Sequence, residues 1–266
     1  MAKIEQLVFR LARDVPQPAI LGRTSGLTRE LANEALQIGA EWVPLPQDES
    51  QRPSLLARPL RNMLPGSPGR LFLAMRAVPE PAAAALCHGL FLTEADFTGA
   101  RFNPYRLEKE GLFLDRWSSG LALEARERAA DEAAPLVLPL PGPQDAEMVD
   151  EALRLYFSTA RLVLPLARPE AASDRFLALF MECLPPQVKR QLAFVSFAAS
   201  GQSEFGVGAV FMADGGFRAW QNSLLTMVRQ PLPPHYEQYV GEARRCLAAG
   251  DLPGLEIGRA SCRESV

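Results

Sequence analysis

The clearest pattern of apolar and polar positions runs from Asp174 to Phe211, DRFLALFMECLPPQVKRQLAFVSFAASGQSEFGVGAVF. Phe176, Leu177, Phe180, Met181 and Leu184 recur at helical spacing. Ser173 or Asp174 can cap this helix, and Pro185-Pro186 ends it, because a residue before proline is pushed out of the α region. The turn Gln187–Gln191 carries Lys189 and Arg190 and is predicted to be exposed. Leu192, Phe194 and Ser196 then alternate with Ala193, Val195 and Phe197, which predicts a strand covered on both faces. Val207–Met212 predicts a second strand after a Gly/Ser loop, and Asp214-Gly215-Gly216 a turn, with Phe217, Ala219 and Trp220 continuing beyond it.

The same reading orders the rest of the chain. Leu7, Phe9 and Leu11 predict a strand over Ile4–Leu11 with one buried side, Pro16-Gln17-Pro18 a turn, and Ala19–Leu21 the hairpin partner. A helix is predicted from Leu27 to Ile38, capped by Thr28 or Ser25, with Leu31, Ala35 and Ile38 inward and Gly39 as its left-handed stop. Residues 43–69 are proline-rich and read as an irregular loop. Strands follow at Leu71–Met75 and Ala84–Leu92, forming an antiparallel pair; Thr93 to Asp96 starts a helix, and Phe97–Trp117 reads as short helical pieces and loop. A strand at Ala134–Leu140 is closed by prolines. A helix at Asp145–Thr159 has Met148, Leu153 (or Ala152), Leu155 and Tyr156 inward, and a strand covers Arg161–Leu166. A last helix, Pro234–Ala249, turns Tyr236, Tyr239, Val240 and Cys246 inward. The fold class is therefore mixed α/β (α+β): a largely antiparallel mixed sheet flanked by helices. It forms one domain over 1–256, or two packed subdomains with a seam at the prolines of 139–143.

Composition narrows this picture. The 266 residues are 48% apolar, ample for a core, and no run approaches the length of about 20 apolar residues that spans a bilayer. Met1-Ala2-Lys3-Ile4-Glu5 lacks the apolar run of a signal peptide, so a cytoplasmic location is expected. A net charge of −3 gives no general attraction to nucleic acid or membrane, and the four cysteines show neither metal nor disulfide spacing. Ile257–Val266 has no apolar periodicity and reads as a sequencing-library adapter translated in frame. On that reading Cys262 is not native, and further protein is expected to follow in the natural chain.

Candidate chemistry is sparse. There is no phosphate-binding G-x-x-x-x-G-K-[ST] loop, no G-x-G-x-x-G, no H-E-x-x-H and no G-x-S-x-G, and no cofactor or metal is expected. Cys87-His88 suggests a dyad, but neighbours in a strand point to opposite faces. Cys183 beside Glu182 sits at a helix C-terminus, the wrong end for stabilising a thiolate, and His235 reads as a surface residue. Thr24, Ser25 and Gly26 precede a helix and form either an anion seat or a capping turn. Arg52, Arg58, Arg61, Arg70 and Arg76 fall in a stretch with no acid before Glu80. They form either a solvated loop whose arginines meet acids elsewhere, or a surface for an anionic partner, since the guanidinium fork suits carboxylate and phosphate. Without interleaved aromatics to stack bases, nucleic acid is not expected as that partner.

Three segments together resemble a family: the first strand with ILGRTSGLT and its helix, the helix–strand pair around RLVLPL, and FLALFMECLPPQVKRQLAFVSF. They are similar to the N-terminal module of the GTPase-associated adaptor proteins of bacterial conflict systems. The matching residues are Ser25, Gly26 and Leu27, then Leu184, Pro185, Pro186, Lys189 or Arg190, Leu192 and Phe194. The proline of the family's first turn is absent here, and Phe197 follows where the family carries threonine. The resemblance covers about half the chain. It implies a non-enzymatic scaffold that couples a GTPase to a membrane or effector partner, with protein partners and no membrane span of its own. Two other readings stand beside it: a hydrolase or thiol-dependent enzyme using Cys183 or His88, and a structural subunit that binds itself.

Overall fold

Nine strands form one mixed sheet in the computed structural model, which describes residues 2–43, 45, 53–63, 69–118, 122–128, 143–166, 171–198, 206–211 and 231–251. Strand β1 (Ala2–Ala12) pairs antiparallel with β2 (Val15–Arg23), and the hairpin turns at Arg13–Asp14. The predicted turn at Pro16-Gln17-Pro18 is thus corrected: both prolines lie inside β2. β2 is an end strand of the sheet, where a missing N–H is tolerated. Strands β3 (Ser54–Pro59), β4 (Leu71–Glu80) and β5 (Ala84–Thr93) complete an antiparallel region ordered β2-β1-β5-β4-β3, with β4 and β5 in register from Leu71↔Thr93 to Glu80↔Ala84. β6 (Arg126–Arg128) pairs with the first residues of β1. The sheet continues through β8 (Phe194–Ala198), β9 (Val207–Phe211) and β7 (Leu162–Leu166), which run parallel to one another. Mixed, largely antiparallel and flanked by helices, this is the predicted class.

Both faces of the sheet are covered. Leu71, Leu73 and Met75 of β4 point to one core, and Phe72 and Ala74 to the other. β1 divides likewise, with Ile4, Gln6 and Val8 as buried as Leu7 and Phe9, so the expectation of a single buried side on β1 is corrected. Helix α1 (Arg29–Trp42) covers the Leu7/Phe9 face. Thr28 is its N-cap, accepting from Leu31 N–H. The helix does not stop at Gly39, which lies within it against the Phe9 ring; a Cβ there would come 2.7 Å from Cζ of Phe9. Glycine at this position admits the ring instead of ending the helix.

The opposite face carries α2 (Glu94–Gly99), α3 (Pro104–Lys109), α4 (Pro143–Thr159), α5 (Ala171–Cys183) and α7 (Pro234–Ala248), with the single turn α6 (Pro186–Lys189) after α5. Thr93 and Asp96 form a reciprocal capping box on α2. Ala146, Val149, Leu153 and Tyr156 face inward on α4, whereas Met148, predicted inward, is 52% exposed. The α4–α7 contact is aromatic, Phe157 stacking on Tyr236 at 4.3 Å, and Arg154 ties the two helices by reaching Asp150 at 2.9 Å and Glu237 at 2.8 Å.

The loop predicted over 43–69 contains β3, whose six residues pair with β4 on one side and β8 on the other. The β3–β8 ladder is short, Leu56↔Val195 and Ala57↔Phe194. Two hydroxyls extend it: Ser54 Oγ–H donates to Phe197 O at 2.7 Å, and Leu55 N–H donates to Ser196 Oγ at 2.8 Å. The strand predicted at Ala134–Leu140, the seam at 139–143 apart from Pro143, Met212, the features over 214–220 and the tail 257–266 lie outside the described residues.

Candidate functional site

Of the five arginines singled out in the sequence, the structure brings three together. Arg58 is the penultimate residue of β3, Arg61 follows three residues later, and Arg70 immediately precedes β4. All three line a groove of about 420 Å³ with Pro59, Leu60 and Gln191. Arg76 lies elsewhere: strand alternation puts it on the Phe72/Ala74 face, where it pairs with Asp115, and with Glu108 at 3.1 Å. Arg52 lies outside the described residues.

The backbone around the groove is fixed from both sides. Leu60 N–H donates to Leu71 O at 2.8 Å, continuing the β3–β4 pairing by one residue. The Glu34 carboxylate on α1 then accepts from Arg61 N–H at 2.8 Å, Asn62 N–H at 3.2 Å and the Asn62 side-chain amide at 2.8 Å. An internal acid therefore holds the main chain of this loop, while the Arg61 side chain stays exposed. Arg58 is half-buried, its guanidinium 4.9 Å from the centre of the fully buried Trp42 ring, a cation–π contact. Arg70 donates to Arg190 O at 3.3 Å.

A second groove of about 300 Å³ adjoins the first, sharing Arg70 and Gln191 and adding Phe72, Glu94, Gln187 and Arg190. Arg190 pairs with Glu94 at 3.1 Å, and its guanidinium lies 5.8 Å from the centre of the Phe102 ring. Gln187, Arg190 and Gln191 come from α6 and the turn after it, more than 110 residues from Arg70 (120 in the case of Arg190), so the local sequence around the arginines carries no sign of them.

Lys189, from the same turn, was expected to be exposed and is instead 3% exposed. Its Nζ donates to Arg101 O at 3.3 Å and to Glu182 O at 3.5 Å. The Glu182 carboxylate, also buried, accepts from Asn103 at 2.7 Å and from Arg106 through two nitrogens at 2.8 and 3.1 Å. Burial alone would raise the Glu182 carboxyl; the charges of Lys189 and Arg106, with the hydrogen bonds from Arg106 and Asn103, hold it down at about 2. This cluster joins α3, α5 and α6, and supports from below the turn that supplies Gln191 to the grooves.

The other sequence candidates are placed as follows. Cys87 packs in the α1-side core and His88 in the opposite one, as strand alternation requires. His88 is fully buried, its Nδ1 accepting from Leu114 N–H at 3.0 Å and its Nε2 lying 3.0 Å from Gln6 Oε1. Burial, then the charges of Arg126 and Arg76, lower its pKa to about 3, so the ring is neutral and Nε2 carries the proton given to Gln6. Burial pushes the Cys87 thiol up. Cys183 is also fully buried, and neither it nor His88 faces solvent. His235 is half-buried beside Tyr236, with ring centres 4.2 Å apart. Thr24 is buried, its Oγ accepting from Gln6 N–H at 2.9 Å, and Gly26 abuts the Glu5 carboxylate, 2.2 Å from where a Cβ would stand. The Thr24-Ser25-Gly26 turn thus already meets a negative charge, and the cap of α1 is Thr28. Among the described residues no group of His, Cys, Asp or Glu is gathered to hold a metal ion, and no helix is long and apolar enough to cross a membrane.

Compared with known protein families, with curated proteins and with solved structures, the chain matches none, so its functional reading rests on its own residues.

Proposed function

We propose that this chain is a non-catalytic interaction module, the N-terminal part of a cytoplasmic bacterial adaptor that acts with a GTPase in a conflict system. The observation that carries the reading is the convergence of Arg58, Arg61 and Arg70 on one groove, with no acid among the described residues that line it. Guanidinium groups at and beside the ends of β3 and β4, with the loop backbone anchored by Glu34, suit capture of an acidic surface more than turnover of a substrate. Chemistry at Cys183 or His88 would require opening the core, since both are fully buried.

The test is co-purification with any GTPase found encoded beside the gene. Wild-type protein is expected to retain the GTPase, and the double substitution Arg61→Glu, Arg70→Glu to lose about nine-tenths of it with an unchanged melting temperature. No retention by the wild type would count against the reading; equal retention by the variant would place the GTPase contact outside this groove. Arg58 is a poor probe of binding, because it also covers Trp42 and its replacement perturbs packing.

A further inference from the structure

The two adjoining grooves differ in charge, and the difference specifies an occupant. In the larger one Arg61 and Arg70 stand beside Arg58, and no carboxylate is among the described residues of its lining; in the smaller, Glu94 already pairs with Arg190. Gln191 borders both, and Gln187, four residues before it, borders the smaller. Gln187 is in α6 and Gln191 in the turn that follows it, and both residues are exposed. We infer that the paired grooves hold an extended acidic segment of a partner protein, with one aspartate or glutamate carboxylate seated between Arg61 and Arg70 beside Arg58. The main chain of that segment runs across Gln191 to Gln187. This rests on the adaptor reading and names what its contact takes.

Three observations favour a peptide carboxylate. The N–H groups of Arg61 and Asn62 are already spent on Glu34, so recognition falls to guanidinium forks, whose two parallel donors match a carboxylate. The rings at the grooves, Trp42, Phe72 and Phe102, are each no more than 3% exposed, so among the described residues no aromatic face is offered there for base stacking. The net charge of −3 opposes long-range attraction of a polyanion and leaves short-range capture of single charges. In the smaller groove the Glu94–Arg190 pair cancels one positive charge, while each glutamine amide supplies a donor and an acceptor for a passing main chain. The favoured sequence is therefore an acidic residue followed by neutral ones, not an unbroken acidic run.

Isothermal titration calorimetry on the full chain tests this. The probes are synthetic Gly/Ser peptides with a central Asp-Glu step, the same peptides with Asn-Gln instead, a single-stranded RNA oligomer and inorganic phosphate. The acidic peptide is expected to bind, to weaken with salt, and to bind about tenfold more tightly than its amide control. Arg61→Ala and Arg70→Ala should each weaken it about tenfold, and Gln191→Ala a few-fold, at an unchanged urea midpoint. No binding of the acidic peptide, equal binding of the amide control, an unaffected affinity in both arginine variants, or tighter binding of RNA or phosphate would overturn the assignment. The adaptor reading fails separately. Retention of the GTPase by Arg61→Ala, Arg70→Ala protein would keep the adaptor and remove this groove from it. Peptide binding without any GTPase retention would do the reverse.

Discussion

Leu114 N–H donates to His88 Nδ1 while His88 Nε2–H donates to Gln6 Oε1, so protonating Nδ1 breaks one bond and charges a buried ring. The folded pKa is about 3 against an ordinary value of 6.5. Between those limits the unfolded chain binds a proton that the folded chain does not, so stability falls as pH is lowered through that window, by up to about 1.4 kcal/mol per pH unit. Glu182 acts lower. Its carboxyl is at about 2 against 4.5, so the stability it contributes is lost only as pH falls from 4.5 through 2. The interval from pH 6.5 to 4.5 therefore separates His88 from Glu182. Urea unfolding across it is expected to show this slope in the wild type and a flatter one in His88→Gln; parallel slopes would refute the assignment. Strand alternation was enough to separate Cys87 from His88 in the sequence. The partner Gln6, 82 residues away, was not legible, because strand register is set by tertiary pairing.

Helices show the same division between local and distant information. Period and proline placed the body and end of α5, although Ser173 and Asp174, read as its caps, lie inside it; they also placed α7, and Thr93 with Asp96 marked the start of α2, because these signals lie within a few residues of what they specify. Gly39 misled, since glycine both ends helices and admits close neighbours, and only the Phe9 ring decides between them. Gly39→Ala should therefore destabilise by about 1–3 kcal/mol through overpacking, against the gain of about 1 kcal/mol that helix propensity predicts; a raised melting temperature would contradict this. Lys189 misled for a related reason, its burial depending on Glu182 and Arg106, which meet across 76 residues. Removing the acid leaves buried cations without it, so Glu182→Ala is expected to cost about 3–5 kcal/mol in urea unfolding. Glu94→Ala, which breaks an exposed pair, should cost under about 1 kcal/mol. Equal costs would remove the cluster from the account of how α3, α5 and α6 are held.

Across the whole molecule, the antiparallel and parallel parts of the sheet meet at β3 and β8, where two backbone pairings are extended by the Ser54 and Ser196 hydroxyls. Ser54→Ala together with Ser196→Ala takes the acceptor from buried Leu55 N–H and weakens this join. Unfolding followed by near- and far-ultraviolet circular dichroism should coincide in the wild type and separate in the double variant; coincidence in both would mean that the join is not limiting. β3 itself was hidden in the sequence, since six residues bracketed by prolines and carrying an arginine read as loop. The arginine set was legible, but its sorting was not: alternation and register sent Arg76 to acids on the opposite face and left Arg58, Arg61 and Arg70 together. The lid of charge over Trp42 has one more consequence. With the Arg58 guanidinium 4.9 Å from the indole centre, any anion that draws on that cation alters the electronic surroundings of the chromophore, so the protein carries a native optical reporter of occupancy that needs no dye.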